Sequence, residues 1–410
     1  MRITVIGSGI SGLGAAHALA PAHDVTVFER SALPGGHTRT TTVTDAGREL
    51  ALDTGFIVHN HANYPLLSGL FQELGVGTQP SEMSFSVSAP GEGLEYSPTR
   101  AWRQPGLLRR SMAALLAEIV RFTLSGRRYL ATTGPGASLA DLVRGEGYSP
   151  AFRDRYLIPM TAAIWSSSPR RALEFPALYA LRFFDNHGLL GPRRHRWRTV
   201  VGGASTYVDR IADALGPQLR TGCPVVELRR DADGVSVRLE GDRVERFDAA
   251  VVATHADQAL ALLGDPDDRE RRVLGAFSST ESETVLHTDE RLLPHAPAAR
   301  ASWNYRLGPL ETADGPVVTY YLNRLQRIES DTHYCVSLNQ VQAVNPDRVI
   351  ARIADRHPLY TFESIAAQEH LPSLSGRRRT WFCGAYHGFG FHEDGLASGL
   401  TAADAIRRSA

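Results

Sequence analysis

Arg2-Ile3-Thr4-Val5-Ile6-Gly7-Ser8-Gly9-Ile10-Ser11-Gly12 opens the chain, and its reading decides the fold. The run from Arg2 to Ile6 is short, apolar and β-branched, which reads as a buried strand. Gly7, Gly9 and Gly12 then stand in G-x-G-x-x-G spacing, and Leu13 to Leu19 is a small-residue helix halted near Pro21. Asp24-Val25-Thr26-Val27-Phe28-Glu29 follows as a second strand ending in a carboxylate, 17 residues after Gly12. A strand–turn–helix–strand context of this kind predicts a Rossmann-like α/β domain that binds a dinucleotide. Gly7 permits the tight turn, Gly9 lets the backbone approach a pyrophosphate, and Gly12 lets helix and strand pack closely. Ser8, Ile10 and Ser11 complete the loop, whose helix N-terminus stabilises phosphate. Glu29 is placed to accept hydrogen bonds from ribose hydroxyls.

The fingerprint alone does not separate one dinucleotide from another; the next segment does. Leu33-Pro34-Gly35-Gly36-His37-Thr38-Arg39-Thr40 places a Gly pair just beyond the second strand. This resembles the extended signature of the flavin amine oxidase and phytoene desaturase superfamily, where the pair lies along the pyrophosphate of FAD. The family pattern usually flanks that pair with arginines. Here Leu33 and His37 hold those places, so charge compensation would fall to Arg30 or Arg39.

Further segments fit the same family in order. Leu52-Asp53-Thr54-Gly55-Phe56 resembles the loop beside the flavin ring. Val225-Val226-Glu227-Leu228 begins a meander that turns at Asp233-Gly234, returns through Val235–Leu239 and leads to Ala249-Ala250-Val251-Val252-Ala253-Thr254. The resemblance implies adenine contact through backbone groups near Val226, and a flavin-side strand end at Ala253 and Thr254. Thr380 to Ala385 is a strand, and Glu393-Asp394-Gly395-Leu396-Ala397-Ser398-Gly399 opens a closing helix with Leu396, Leu400, Ala403 and Ile406 on one face. In the family that helix N-terminus points at the flavin, where its dipole stabilises charge gathered on reduction. An acid usually follows the strand glycine, but this chain has Ala385. "DTGFIV", "NHGLL" and "FHEDGLASG" look like a bacterial branch of NAD/FAD-binding proteins.

The implied cofactor is FAD, held without a covalent bond because none of the three cysteines stands in a flavin-linking context. His37 leaves a histidyl link as the alternative. The implied architecture is a discontinuous FAD domain of the glutathione-reductase type and amine oxidase fold, over 1–62, 195–264 and 376–410. A discontinuous α+β substrate or cap domain takes 63–194 and 266–375.

Composition narrows the chemistry. Lys+Arg and Asp+Glu both number 44, so the chain has no overall charge footprint for nucleic acid. No run of 18 apolar residues occurs, and the N-terminus turns Gly-rich before a signal-peptide core could form, so a cytoplasmic protein is expected. Cys223, Cys335 and Cys383 are far apart and in no CxxC pair, against a disulfide framework or thiolate zinc site. The sequence contains no lysine, which excludes Schiff-base and P-loop chemistry. Many amine oxidases of the superfamily keep a lysine that reaches flavin N5 through water. Its absence here argues against a simple amine oxidase.

Family geometry puts Tyr386, His387, Phe389, Phe391 and His392 beside the ring. His387 is the first candidate for proton transfer and Tyr386 the second, although packing against flavin explains either. Asn186 and His187 end an aromatic segment at the domain boundary and are weaker substrate-site candidates, with Phe389 and Phe391. His59-Asn60-His61 lacks nearby acids or thiols, so no metal is expected. A helix over Leu107–Leu124 carries Leu108, Met112, Leu115, Ile119 and Phe122 on one stripe, flanked by Arg109, Arg110, Arg121, Arg127 and Arg128. It reads either as a cap helix with solvated arginines or as an interfacial helix for anionic lipid or a lipid-carrying partner, which would make the protein peripheral to a membrane. Arg193-Arg194-His195-Arg196-Trp197-Arg198 is a solvated loop or a contact for a substrate anion.

Two function classes remain. One is an FAD-dependent oxidoreductase for a hydrophobic small-molecule or acyl substrate of fatty-acyl, terpenoid or polyketide type, with redox-neutral double-bond isomerisation as its variant. The other is a flavin-bearing redox sensor or scaffold.

Overall fold

The computed structural model describes residues 1–98, 110–191, 195–308, 317–340 and 342–409. Leu107, Leu108, Arg109, Arg193 and Arg194 lie outside them. Arg2–Ile6 is the middle strand of a five-stranded parallel sheet, flanked by Asp24–Phe28 and Ala249–Val252, with Leu219–Arg220 and Thr380–Phe382 at the edges. Alternation sorts its residues between two layers. Ile3, Val5, Val25, Val27 and Val251 pack on the helix layer, whereas Ile6, Phe28, Ala250, Val252 and Phe382 face the meander. Both faces are covered, which is why these strands are almost uninterruptedly apolar.

The helix layer is Ile10–Leu19 beside the closing helix His392–Ser409. Glycine sets their spacing: a Cβ on Gly399 would stand 2.2 Å from the Ser11 carbonyl oxygen, and one on Gly395 2.9 Å from Ile10 Cγ2. The meander differs from the sequence expectation by one strand. Val225–Arg230, Val235–Leu239 and Val244–Phe247 form it, and Ala249–Val252 leaves for the parallel sheet. The handover is made by Asp248, whose carboxylate accepts the Arg2 N–H at 2.6 Å while its own N–H donates to the Arg2 carbonyl.

A seven-stranded sheet forms the second layer system, in the order Val349–Leu359, Ser278–His287, Cys335–Leu338, Val318–Tyr321, Trp303–Arg306, Phe85–Ala89, Leu94–Tyr96. Its helices include Arg110–Thr132, Ile158–Trp165 and Ala177–Asn186. Met112, Leu115, Ile119 and Phe122 are buried on the first of these, the stripe their spacing predicts. The helix runs past Leu124 because Gly126 fits against Leu190 and Tyr129 continues the buried face.

Candidate active site

The glycine loop presents a floor without side chains. Gly7 (φ +102°) sits over Ala253, whose carbonyl oxygen a Cβ would approach to 2.8 Å, and a Cβ on Gly12 would meet the Gly7 carbonyl oxygen at 1.9 Å. Gly9 is different, since a Cβ there meets nothing within 4 Å. Gly36 (φ +60°) packs against the Gly9 backbone and Gly35 against Thr38 and Val208, and Gly9 leaves room for a pyrophosphate at the N-terminus of helix Ile10–Leu19. Glu29 is buried beneath this loop and accepts hydrogen bonds from the Ser8 N–H (2.9 Å), the Ser8 hydroxyl (2.7 Å) and the Ser31 N–H (2.8 Å). Gly222 and Cys223 donate to the carbonyls of Ser31 and Glu29, which brings the start of the meander alongside. There the ladder bulges between Val225 and Glu227, leaving Val226 between paired residues and 39% exposed. These residues fit an FAD: carboxylate for ribose, open glycine floor and helix dipole for pyrophosphate, bulged backbone for adenine. Arg30 is exposed, and Arg39 is paired with Asp355 at 2.8 Å.

Beyond the Gly pair the chain turns into a cavity of about 770 Å³. Its end next to the glycine loop is formed by His37, Thr54, Gly55, Phe56 and His392. Thr38 shares hydrogen bonds with Tyr207 Oη (2.7 Å) and His392 Nε2 (2.8 Å), and the His392 ring stacks on Phe56 with centroids 3.9 Å apart. Burial lowers the His392 pKa to about 3, so the imidazole is neutral. His37 Nε2 lies 3.0 Å from the Arg356 carbonyl, and its ring meets those of His255 and His357. His357 Nδ1 bonds the Ser282 hydroxyl at 2.7 Å, and burial holds this imidazole well below its ordinary pKa.

The far end is aromatic and aliphatic. Tyr156, Met160, Trp165, Phe183, Trp303 and Tyr360 come from the seven-stranded sheet, its helices and their flanking segments, while Phe389 and Phe391 close the side next to the last helix. Three contacts pin that closing turn: Tyr179 Oη donates to the Gly388 carbonyl (2.6 Å), Gln368 Nε2 to the Tyr386 carbonyl (2.9 Å), and Trp165 Nε1 to the Phe389 carbonyl (3.3 Å). Asp394 caps the helix by accepting the Phe391 N–H at 3.0 Å, and burial raises its pKa to about 6. Glu393 reaches sideways and accepts the Leu66 and Leu67 N–H groups at 2.8 and 3.0 Å, in the first turn of helix Pro65–Glu73.

The structure brings together His37, Thr54, Gly55, Phe56, His187, Phe389 and Phe391 on the cavity wall. It places others elsewhere. Tyr386 packs on Phe277 among the residues beneath the meander, and neither it nor His387 is part of the wall. The Tyr386 hydroxyl and His387 Nε2 are buried without a hydrogen-bond partner among the described residues, and burial lowers His387 to about 4. Asn186 also stands off the wall; its carbonyl accepts from Asn63 Nδ2 and pairs with His195 Nε2. Gly384 and Ser398 tie the last strand to the closing helix, with the Gly384 N–H donating to Ser398 Oγ at 2.9 Å. Leu396 is buried against Gly14, and Thr254 lies over Gly7. Sequence reasoning missed Asp355 and His357. Their i, i+2 spacing on strand Val349–Leu359 was a usable signal, because it puts both on one face.

The family described as flavin containing amine oxidoreductase matches residues 10–295 of the chain. No curated protein matches it by sequence. Among solved structures, putrescine oxidase bound to putrescine superposes with a TM-score of 0.72 at 16% identity, covering 100% of both chains. A CLA-producing fatty acid isomerase from P. acnes gives 0.70 at 16% identity, over 99% of this chain and 98% of that one. Cyclohexylamine oxidase from Brevibacterium oxydans gives 0.69 at 18% identity, over 100% and 99%. Identities of this size carry the fold.

Proposed function

Because the chain belongs to the flavin containing amine oxidoreductase family, and so is an FAD-dependent oxidoreductase, we propose that its substrate is a neutral, mostly apolar molecule of fatty-acyl, terpenoid or polyketide type. One observation carries this reading. Among the described residues that line the cavity there is no arginine, although the chain has 44 basic residues, and the single carboxylate, Asp355, is already paired with Arg39. An ammonium or carboxylate taken into such a chamber would lose its hydration without gaining a counter-charge, which costs several kcal/mol. An alkyl or polyene chain loses nothing of the kind, and the ring-lined wall gains its contact area.

When bound, the flavin supplies a hydride acceptor. The chain's own residues then have three tasks. Phe183, Phe389, Phe391, Trp165 and Tyr360 hold the substrate and exclude water. Thr38, Tyr207 and Phe56 fix His392 at the head of the closing helix. His37 and His357 bring imidazole nitrogens to the polar end, that of His357 held neutral by burial, and these take the acid–base role in preference to His387, which stands behind the wall. With Nδ1 engaged by Ser282, Nε2 is the atom of His357 left to hold or move a proton.

Redox-neutral double-bond isomerisation is the second reading. A chamber that keeps out water and charge equally suits the return of a hydride to another carbon, and the fatty acid isomerase that shares this fold supports it. Anaerobic mixing of the holoenzyme with unsaturated fatty-acyl or terpenoid substrates, and in parallel with primary amines, tests both. One equivalent of product with bleached flavin marks oxidation, and many turnovers without net bleaching mark isomerisation. His357→Gln should slow either by about 10²–10⁴ with FAD content unchanged. Rapid flavin reduction by simple amines, with none by apolar substrates, would overturn the substrate assignment.

A further inference from the structure

Helix Arg110–Thr132 is apolar on two faces, and only one of them is needed for the core. Met112, Leu115, Ile119, Phe122 and Tyr129 point inward and are buried. On the opposite side Ala113, Ala117, Val120, Leu124 and Ala131 form an exposed stripe at helical spacing. Leu124 is 72% exposed and Val120 55%. These two also line the cavity, so the outer face of the helix runs directly into the mouth of the substrate chamber.

The charges along this face are of one sign. Its exposed ionisable residues are Arg110, Arg121, Arg127 and Arg128, and no acid on the helix is exposed. Glu118 is half-buried and accepts from the Ser149 N–H and hydroxyl. Arg128 is paired with Glu146, and Arg121 is paired with Glu118 at 3.7 Å and lies over the Tyr148 ring, 3.9 Å from its centroid. Arg127 has no acidic partner among the described residues. An exposed apolar stripe edged by arginines is the pattern of a helix lying in a bilayer interface, where the stripe enters the acyl boundary and the guanidinium groups reach phosphates. Self-association is disfavoured, since a two-fold contact through this face would set arginine against arginine.

We propose that this face docks on an anionic lipid bilayer, so that an apolar substrate passes from the membrane into the chamber between Val120 and Leu124 without crossing water. The inference adds a surface and a source to the substrate reading. It is tested without turnover, so its failure and the failure of that reading are distinguishable.

The experiment is flotation of the FAD-loaded protein with vesicles of phosphatidylcholine alone or mixed with phosphatidylglycerol, at low and high salt. Binding to the mixed vesicles is expected to be tighter by about tenfold or more, given roughly fivefold per interfacial arginine, and to fall at high salt. Val120→Glu/Leu124→Glu should weaken it by at least about tenfold, with flavin absorbance and melting unchanged. Arg127→Glu, which does not line the chamber, should weaken it several-fold and serves if the double variant fails to fold. Equal partition into both vesicle types overturns the proposal, as does absence of binding to anionic vesicles, whatever soluble partner the face then binds. So does wild-type binding by a folded variant.

Discussion

At the residue scale, two glycines in one motif have separable tasks. Gly12 is required by the protein itself, because a Cβ would sit 1.9 Å from the Gly7 carbonyl oxygen. Gly9 faces open space, so its lack of a side chain is of use only to a ligand that approaches the backbone. Gly9→Ala is therefore expected to fold with an unchanged far-ultraviolet spectrum and to lose FAD affinity by at least about tenfold. Gly12→Ala should lose stability as well, by about 1–3 kcal/mol or more. Equilibrium titration of the apoproteins with FAD, alongside urea melts, separates the two; equal FAD affinity of Gly9→Ala and wild type would refute the assignment of the floor.

At the element scale, the closing helix serves as a clamp. Its first turn holds helix Pro65–Glu73 through Glu393, caps itself through Asp394, and abuts Ile10–Leu19 through Gly395 and Gly399. Removing the Glu393 carboxylate leaves the Leu66 and Leu67 N–H groups without their acceptor. Glu393→Ala should cost about 1–3 kcal/mol in urea unfolding. It should also loosen FAD, since the same turn carries His392 to the polar end of the cavity. Glu393→Gln, which keeps one acceptor, should fall between the two; a double-sided result, stability lost but FAD affinity intact, would confine the clamp to folding.

At the scale of the whole molecule, many imidazoles are buried neutral. Burial lowers His59, His187, His255, His287 and His387 to about 4, and His392 to about 3, from 6.5. Each is a group whose folded pKa is depressed, so its contribution is complete above about 6.5 and is lost as pH falls towards 4. Lowering to about 4 corresponds to about 3 kcal/mol at most for one group, and the larger fall of His392 to about 5 kcal/mol at most. Asp53 and Asp394 act the other way: burial raises them to about 7 and 6, so the folded state gains stability as they take up protons below those values. The imidazoles outnumber the acids, and the net expectation is a urea midpoint lower at pH 5 than at pH 7. A midpoint that stays level or rises on acidification would show that these histidines are hydrated.

The parallel sheet and the glycine loop were legible in the sequence because each rests on local physics. A β-branched run must be buried on both faces, a glycine at φ +102° tolerates no substitute, and the small-residue helix can only follow that turn. The inward stripe of helix Arg110–Thr132 was legible for the same reason, from its helical period. The chamber was not. Its walls come from residues 37, 56, 165, 183, 303, 357, 360 and 391, far apart in the chain, and no local pattern states which side chains a tertiary fold will turn towards one another. His387 and Tyr386 show the limit most plainly. They stand four and five residues beyond the last strand and close to Phe389, yet the turn pinned by Tyr179, Gln368 and Trp165 faces Phe389 and Phe391 to the chamber and sets Tyr386 against Phe277. Direction at a turn is fixed by the elements packed around it, and those belong to the tertiary structure alone.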